Sequence, residues 1–231
     1  MELVFPGRFI VLEGNEGSGK GTQIEVLKKR LETLYPGKEI ISTTEPWDDP
    51  ASPEGQRIKR ILQEKEKEIN PGEKFDAVKF QTLYIADRYI HWAKLIIPAL
   101  KRGAIILSDR ERLSTYAFTL AYGGSLDEAV SWHRLLPVPD MTLYLRVTPE
   151  VSVKRIGLRK DKQIEIFDKT ESVRKVFNAY EEVIASRVIP NIEVVNGEES
   201  EEVVSESIMR VVNDCFGLDL SLSPEAVFEV D

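Results

Sequence analysis

The chain has 231 residues, 42% of them hydrophobic and 30% charged, with 39 acidic side chains against 31 basic ones and a formal net charge of −8. Such a chain makes one globular domain, or at most two, and buries a core without disulfides; its acidic balance counts against a dedicated binder of nucleic acid or of an anionic membrane. One cysteine and two histidines exclude an internal disulfide and a Cys/His zinc cluster.

Residues Met1 to Gly7 lack the build of a signal peptide, and no stretch reaches the roughly 18 apolar residues of a membrane span, so a soluble cytoplasmic protein is expected. Short apolar runs alternate with longer helical patterns, which predicts an α/β fold: a parallel sheet with helices on both faces. The predicted strands are Arg8 to Leu12, Glu39 to Thr43, Ala104 to Ser108, Met141 to Val147 and Ile192 to Asn196.

The first strand runs into Leu12-Glu13-Gly14-Asn15-Glu16-Gly17-Ser18-Gly19-Lys20-Gly21-Thr22-Gln23, after which Ile24, Leu27, Leu31 and Leu34 recur at helical spacing until Pro36-Gly37. Strand, glycines, lysine and helix in that order make a phosphate-binding loop: backbone amides turn inward as an anion nest, the helix end adds partial positive charge, and Lys20 reaches the β- and γ-phosphates. Gly21 stands where the strict pattern places a magnesium-binding hydroxyl, and Thr22 follows one residue late. Such a loop serves a kinase, or a switch or motor that hydrolyses a nucleotide. A guanine-nucleotide switch would carry an NKxD-like base reader, which this sequence lacks. A kinase needs a second, basic and aromatic-lined site for the acceptor.

The second strand ends in Thr43-Thr44-Glu45-Pro46. The charge run Glu64 to Glu68 reads as a solvated helix end. From about Glu73 to Lys101 a long helical pattern carries an apolar stripe through Leu83, Ala86, Ile90, Ala93, Ile97 and Leu100, either a core face or one that also supplies a dimer contact. On it, Tyr84 and Arg88 stand at i and i+4, so a ring and a guanidinium share one face and could take up a base. The third strand leads into Ser108-Asp109-Arg110 and then Ser114-Thr115-Tyr116-Ala117-Phe118-Thr119, at the strand edge where open α/β sheets bind ligands. The fourth strand is followed by a basic stretch, Lys154, Arg155, Arg159, Lys160 and Lys162, suited to a lid over phosphates. His91, His133 and Cys215 have no constellation around them and read as structural or surface residues. The expected organisation is a kinase domain over residues 1–213 with a lid at about 155–170, then a C-terminal extension over 214–231.

Taken in order, FIVLEGNEGSGKGTQ, TEP, GQRIKRIL, YIADR, IIPALKRG, SDRERLSTYAF and LYLRVTPEVSVKR resemble the thymidylate kinase family across residues 8–213. The resemblance implies a P-loop kinase fold with a five-stranded parallel sheet, transfer of a phosphoryl group from ATP with Mg²⁺ to the small-molecule substrate dTMP, and a homodimer paired through long helices. It implies that Gly14, Asn15, Glu16, Gly17, Ser18, Gly19, Lys20, Gly21 and Thr22 hold the ATP phosphates, with Lys20 neutralising charge as it develops. Glu16 would contact the acceptor's 3′-hydroxyl, Asp109 would manage the metal and Arg110 the acceptor phosphate. Arg88 would bind the thymine edge, and Tyr84 would stack where the family usually has Phe. Thr115, Phe118 and Thr119 would line the base and sugar pocket, and Lys59 would face the acceptor phosphate. Because Gly17 occupies the loop position for a catalytic arginine, Arg159 of the lid would supply it, with Arg155 near the adenine. Thr44, Lys59, Thr119 and Gln163 depart from the usual pattern, which keeps open an altered acceptor such as dUMP or another deoxynucleoside monophosphate; a P-loop ATPase without an acceptor is the rival from another class.

Overall fold

The computed structural model describes residues 5–63, 75–158 and 170–216. Five strands, β1 (Arg8–Glu13), β2 (Ile40–Thr44), β3 (Ile105–Asp109), β4 (Met141–Arg146) and β5 (Ile192–Asn196), form one parallel sheet in the order β2-β3-β1-β4-β5. Each predicted strand is present to within one residue at either end. Strands β1, β3 and β4 are buried along nearly their whole length, which explains their continuous apolar runs.

Alternation along β1 divides the core. Ile10 and Leu12 face α1 (Lys20–Leu34) and α9 (Glu201–Phe216), together with Ile24, Leu27, Leu31, Ile208 and Val212. Phe9 and Val11 face the opposite way, against Trp92, Ile96, Ala99 and Leu100. Glu13, next in the alternation, shares that second face and points a carboxylate into it.

The second face is covered by α3 (Ala77–His91), a π-helical turn (Trp92–Ile96) and α4 (Ile97–Lys101), which run on as one helix. Asp76 starts it by accepting from the amides of Val78 and Lys79, and Glu73 lies outside the described residues. Pro98 has no N–H to give to the preceding turn, and the π-turn absorbs the mismatch, with Ile97 N–H reaching back to Trp92 O. Most of the apolar stripe seen in the sequence is not the face that meets the sheet; its last member, Leu100, does pack on Phe9 and Val11. Ala86 and Ala93 are exposed and Leu83, Ile90 and Ile97 half-buried, whereas Phe80, Gln81, Asp87, Arg88, His91, Trp92 and Ile96 turn inward. The buried face is more polar than the exposed one because it holds the charges described below.

The remaining described helices are α2 (Pro53–Leu62), α5 (Arg112–Ala121), α6 (Leu126–Trp132), α7 (Pro149–Gly157) and α8 (Thr170–Ser186). Helix α9 continues through Asn213 to Phe216. Residues 159–169, most of the expected lid, and 217–231 are outside the described set.

Candidate active site

Strands β1 and β4 are neighbours whose onward connections lead to opposite sides of the sheet, and at such a switch point a crevice opens beyond the strand C-termini. The loop from Gly14 to Gly19 lies there, between β1 and α1. Gly14 has φ 144 and a Cβ there would stand 2.6 Å from Leu145 O; Gly17 has φ 80 and its Cβ would meet Ser152 O at 2.8 Å. The loop is thus wedged between β4 and α7 in a conformation that only glycine takes comfortably. Gly19 enters α1 with left-handed geometry and no side chain caps the helix, which leaves its amino end to an anion. Gly21 and Thr22 are exposed on the first turn, and a Cβ on Gly21 would meet open space, so crowding does not account for the missing hydroxyl.

Lys20 is 4% exposed. Its Nζ donates to Gly14 O and Asn15 O at 3.1 Å each and to Ser18 Oγ at 3.5 Å, and stands 3.8 Å from Asp109 Oδ1. Burial and the Arg110 charge push its pKa down, so the ammonium is poorly compensated where it stands.

Beside the loop a cavity of about 300 Å³ is walled by Asn15 and Glu16 on one side, by Asp109, Arg110, Ser114, Thr115 and Phe118 on another, and by Thr44, Glu45, Lys59 and Tyr84 on a third. Asp109 Oδ1 and Asn15 Nδ2 are buried without a hydrogen-bond partner. Two polar atoms left this way beside a phosphate-binding loop fit a ligand or cation that completes them. Among the described residues no group of three or more metal-ligating side chains converges; magnesium commonly needs only one or two carboxylates when phosphates supply the rest. Lys59 meets Asp48 at 2.7 Å and is partly exposed. Arg155 donates to Gly17 O and Gly197 O, bridging the loop and the β5 end. Arg159, Lys160, Lys162 and Gln163 fall outside the described residues.

Two expected contacts are placed differently. Thr119 is fully buried, its hydroxyl has no hydrogen-bond partner, and it does not border the cavity. Arg88 is 1% exposed and lies behind the cavity wall. Nε and Nη2 donate to Glu45 Oε2 at 2.8 and 2.5 Å, Nη2 also to Glu111 O, and Nη1 to Thr115 Oγ1 and His133 Nε2. All five N–H positions are thereby turned toward protein acceptors. Tyr84, one helical turn away, does border the cavity.

The two histidines complete this network. His91 lies between Thr43, at 2.8 Å from Nε2, and Glu45, and stacks on Trp47 at 5.0 Å. His133 accepts from Arg88 through Nε2, so Nδ1 carries the proton that meets Ala129 O at 2.8 Å. Both are buried among protein hydrogen-bond partners, and, contrary to the expectation that no constellation surrounds them, they sit in one that their sequence neighbours do not reveal. Glu13, Glu111 and Tyr180 belong to the same buried polar floor; the first two lie within motifs that gave them no role, and Tyr180 lies in none.

Burial, then Arg88, pushes the pKa of His133 down to about 3 from its ordinary 6.5. The unfolded chain therefore binds the extra proton first, and this residue's stabilising share is lost as pH falls from 6.5 toward 3. His133→Gln keeps an acceptor for Arg88. It is expected to flatten the fall in stability between pH 6.5 and the carboxylate range near 4.5, measured by urea unfolding at stepped pH. An unchanged slope there would remove His133 as its cause.

A family model described as thymidylate kinase matches residues 12–208 of the chain. A thymidylate kinase of Desulfotalea psychrophila is 32% identical over 207 residues, covering 90% of this chain and 95% of that protein. A protein named probable thymidylate kinase from Pyrococcus horikoshii is 34% identical over 214 residues, with 92% and 99% covered. A thymidylate kinase of Caldicellulosiruptor saccharolyticus is 31% identical over 215 residues, with 90% and 97% covered.

Proposed function

The chain belongs to the thymidylate kinase family, and from that premise we propose that it transfers the γ-phosphoryl group of ATP to dTMP, giving dTDP and ADP. The observation that carries the reading is a cavity whose walls join phosphate-loop side chains, Asn15 and Glu16, to the Asp109-Arg110 pair and to the rings of Tyr84 and Phe118. A nucleoside monophosphate needs those three chemistries at once: a flat apolar berth for the base, a polar edge for the sugar, and cationic groups for the phosphate.

The acceptor phosphate is already ionised at neutral pH, so no histidine or cysteine base is required and the protein's work is positioning and charge neutralisation. The anion nest of residues 14–20 holds the donor phosphates, and Lys20 meets charge that develops during transfer. Arg110 and Lys59 hold the acceptor phosphate, and Glu16 takes the sugar hydroxyl. Tyr84 and Phe118 confine the base beside Thr115, while Arg88 stiffens that wall from behind. Asp109, whose Oδ1 has no hydrogen-bond partner, would hold Mg²⁺, which would supply positive charge to the donor phosphates. Arg155 is assigned to the adenine side and Arg159 to the catalytic arginine of a lid over about 155–170. The partly exposed stripe of the long helix suits a homodimer contact, and a cytoplasmic setting suits the single cysteine. No described helix is long and apolar enough to cross a membrane.

Release of ADP, followed with dTMP, dUMP, dCMP, dGMP and UMP as acceptors, tests the reading. Turnover is expected with dTMP, with dUMP next because Thr44 and Lys59, which border the cavity, alter the acceptor side. ADP formation at the same rate without any monophosphate would overturn the proposal in favour of an ATPase.

A further inference from the structure

Glu13 is 0% exposed, follows Leu12 at the end of β1, and takes no part in the scheme above. Its Oε1 accepts the amides of Glu111 at 2.8 Å and Ser114 at 3.0 Å, the residues that open α5. Its Oε2 accepts the hydroxyls of Ser114 at 2.5 Å and Tyr180 at 3.2 Å. One carboxylate thus gathers donors from the turn after β3 and from α8, the helix that begins immediately beyond residues 159–169.

Arg110 sits at the centre of that gathering. It has φ 77, uncommon for a residue with a side chain. Its N–H donates to Leu12 O and its carbonyl accepts from Ser108 Oγ, while the next amide is the one held by Glu13. Its Nη1 donates to Gly14 O at 3.1 Å, Ser114 Oγ at 2.9 Å and Tyr180 Oη at 3.2 Å. The two hydroxyls that Arg110 uses as acceptors are the two that donate to Glu13. The two hydroxyls also lie 2.8 Å from each other, so carboxylate, hydroxyls and guanidinium form one cluster in which the carboxylate, an acceptor only, draws hydroxyl protons toward itself and leaves lone pairs for Arg110.

We propose that Glu13 and Tyr180 are positioning residues for the reaction: the carboxylate orients both hydroxyls and the backbone turn so that Arg110 is held against the acceptor phosphate. The inference rests on the reading of the cavity as the acceptor site. Burial raises the pKa of Glu13 while Arg110 and the donors oppose it, so the ionised form depends on these partners. A carboxamide of the same shape reverses the pattern. Gln at position 13 would donate to Ser114 Oγ and Tyr180 Oη and compete with Arg110 for the same lone pairs.

Steady-state kinetics of wild type, Glu13→Gln, Tyr180→Phe and the double variant with ATP and dTMP test this. Displacement of a substrate-holding group by about 1 Å costs on the order of 10²-fold, so Glu13→Gln is expected to lose about that in kcat, with the KM for ATP within about twofold. Tyr180→Phe keeps the ring stacked on Tyr144 at 5.2 Å, so its Tm is expected to stay near wild type while kcat falls about tenfold. The double variant is expected to be no slower than Glu13→Gln alone, since both act on one guanidinium. Unchanged kcat in Tyr180→Phe, or a kcat loss in Glu13→Gln that only parallels lost Tm, overturns the inference and leaves the proposed function standing. A wild type without dTMP-dependent ADP release overturns both.

Discussion

Lys20→Ala is expected to lower kcat by about 10²–10³-fold, the loss that follows removal of one preorganised group aimed at developing charge. The geometry makes the loss specific to turnover. Lys20 Nζ is fixed by two carbonyls and is 4% exposed, so it need not reorganise when phosphate charge appears beside it. Its carboxylate neighbour, Asp109, stands 3.8 Å away and offsets the charge only in part. Burial of this ammonium is unfavourable to the empty protein, and the variant is therefore expected to melt no lower than wild type. Lys20→Arg is not expected to rescue, because a planar fork does not replace a compact point charge in this space. Kinetics and thermal melting on the same samples check both halves. A kcat within about threefold of wild type would remove Lys20 from the chemistry.

Arg88→Met is expected to act on stability first. Glu45, Glu111 and Arg88 are each about 1% exposed, and the positive charge is held above its ordinary pKa by those carboxylates in spite of burial. Removing it leaves Glu45 buried beside His91 without its main partner, which costs about 3–5 kcal/mol, or a Tm lower by roughly 6–20 °C for a chain of this size. Arg88→Met combined with Glu45→Gln is expected to recover much of that loss, because the stranded charge goes too. Recovery of Tm without recovery of the dTMP KM would separate folding from recognition. A single variant as stable as wild type would show that the network is dispensable.

The two substitutions mark what could be read from the chain. Lys20 sits in a contiguous motif, and a motif whose function depends on local backbone geometry announces itself in twelve consecutive letters. The strands were legible for a similar reason: burial on both faces makes each an unbroken apolar run, bounded within one residue of its true ends. The long helix was legible only in part, because its stripe could be a core face or one that also supplies a dimer contact. Its apolar stripe is the partly exposed side, and its core side carries Gln81, Asp87, Arg88 and His91 because the fold buries the site's charges there. Hydrophobic periodicity cannot report such a face. The partners that make those charges tolerable come from far along the chain, as with Glu13 and Tyr180, which are 167 residues apart. The same holds for Arg88, whose five donors are spoken for by residues just after β2, at the start of and within α5, and at the end of α6.

The strand order has a further consequence, for the birth of the protein. β1 pairs with β3 and β4, whose partner residues lie about a hundred and about 130 positions later, while its own successor, β2, pairs elsewhere. As the chain leaves the ribosome, the strand that carries the phosphate loop is therefore made first and sheltered late. Until residue 146 has emerged, one side of β1 is an apolar edge open to any passing strand. Early synthesis of the catalytic loop gives no early function, and the interval in which a chaperone or a neighbouring chain can intervene is set by the distance from β1 to β4.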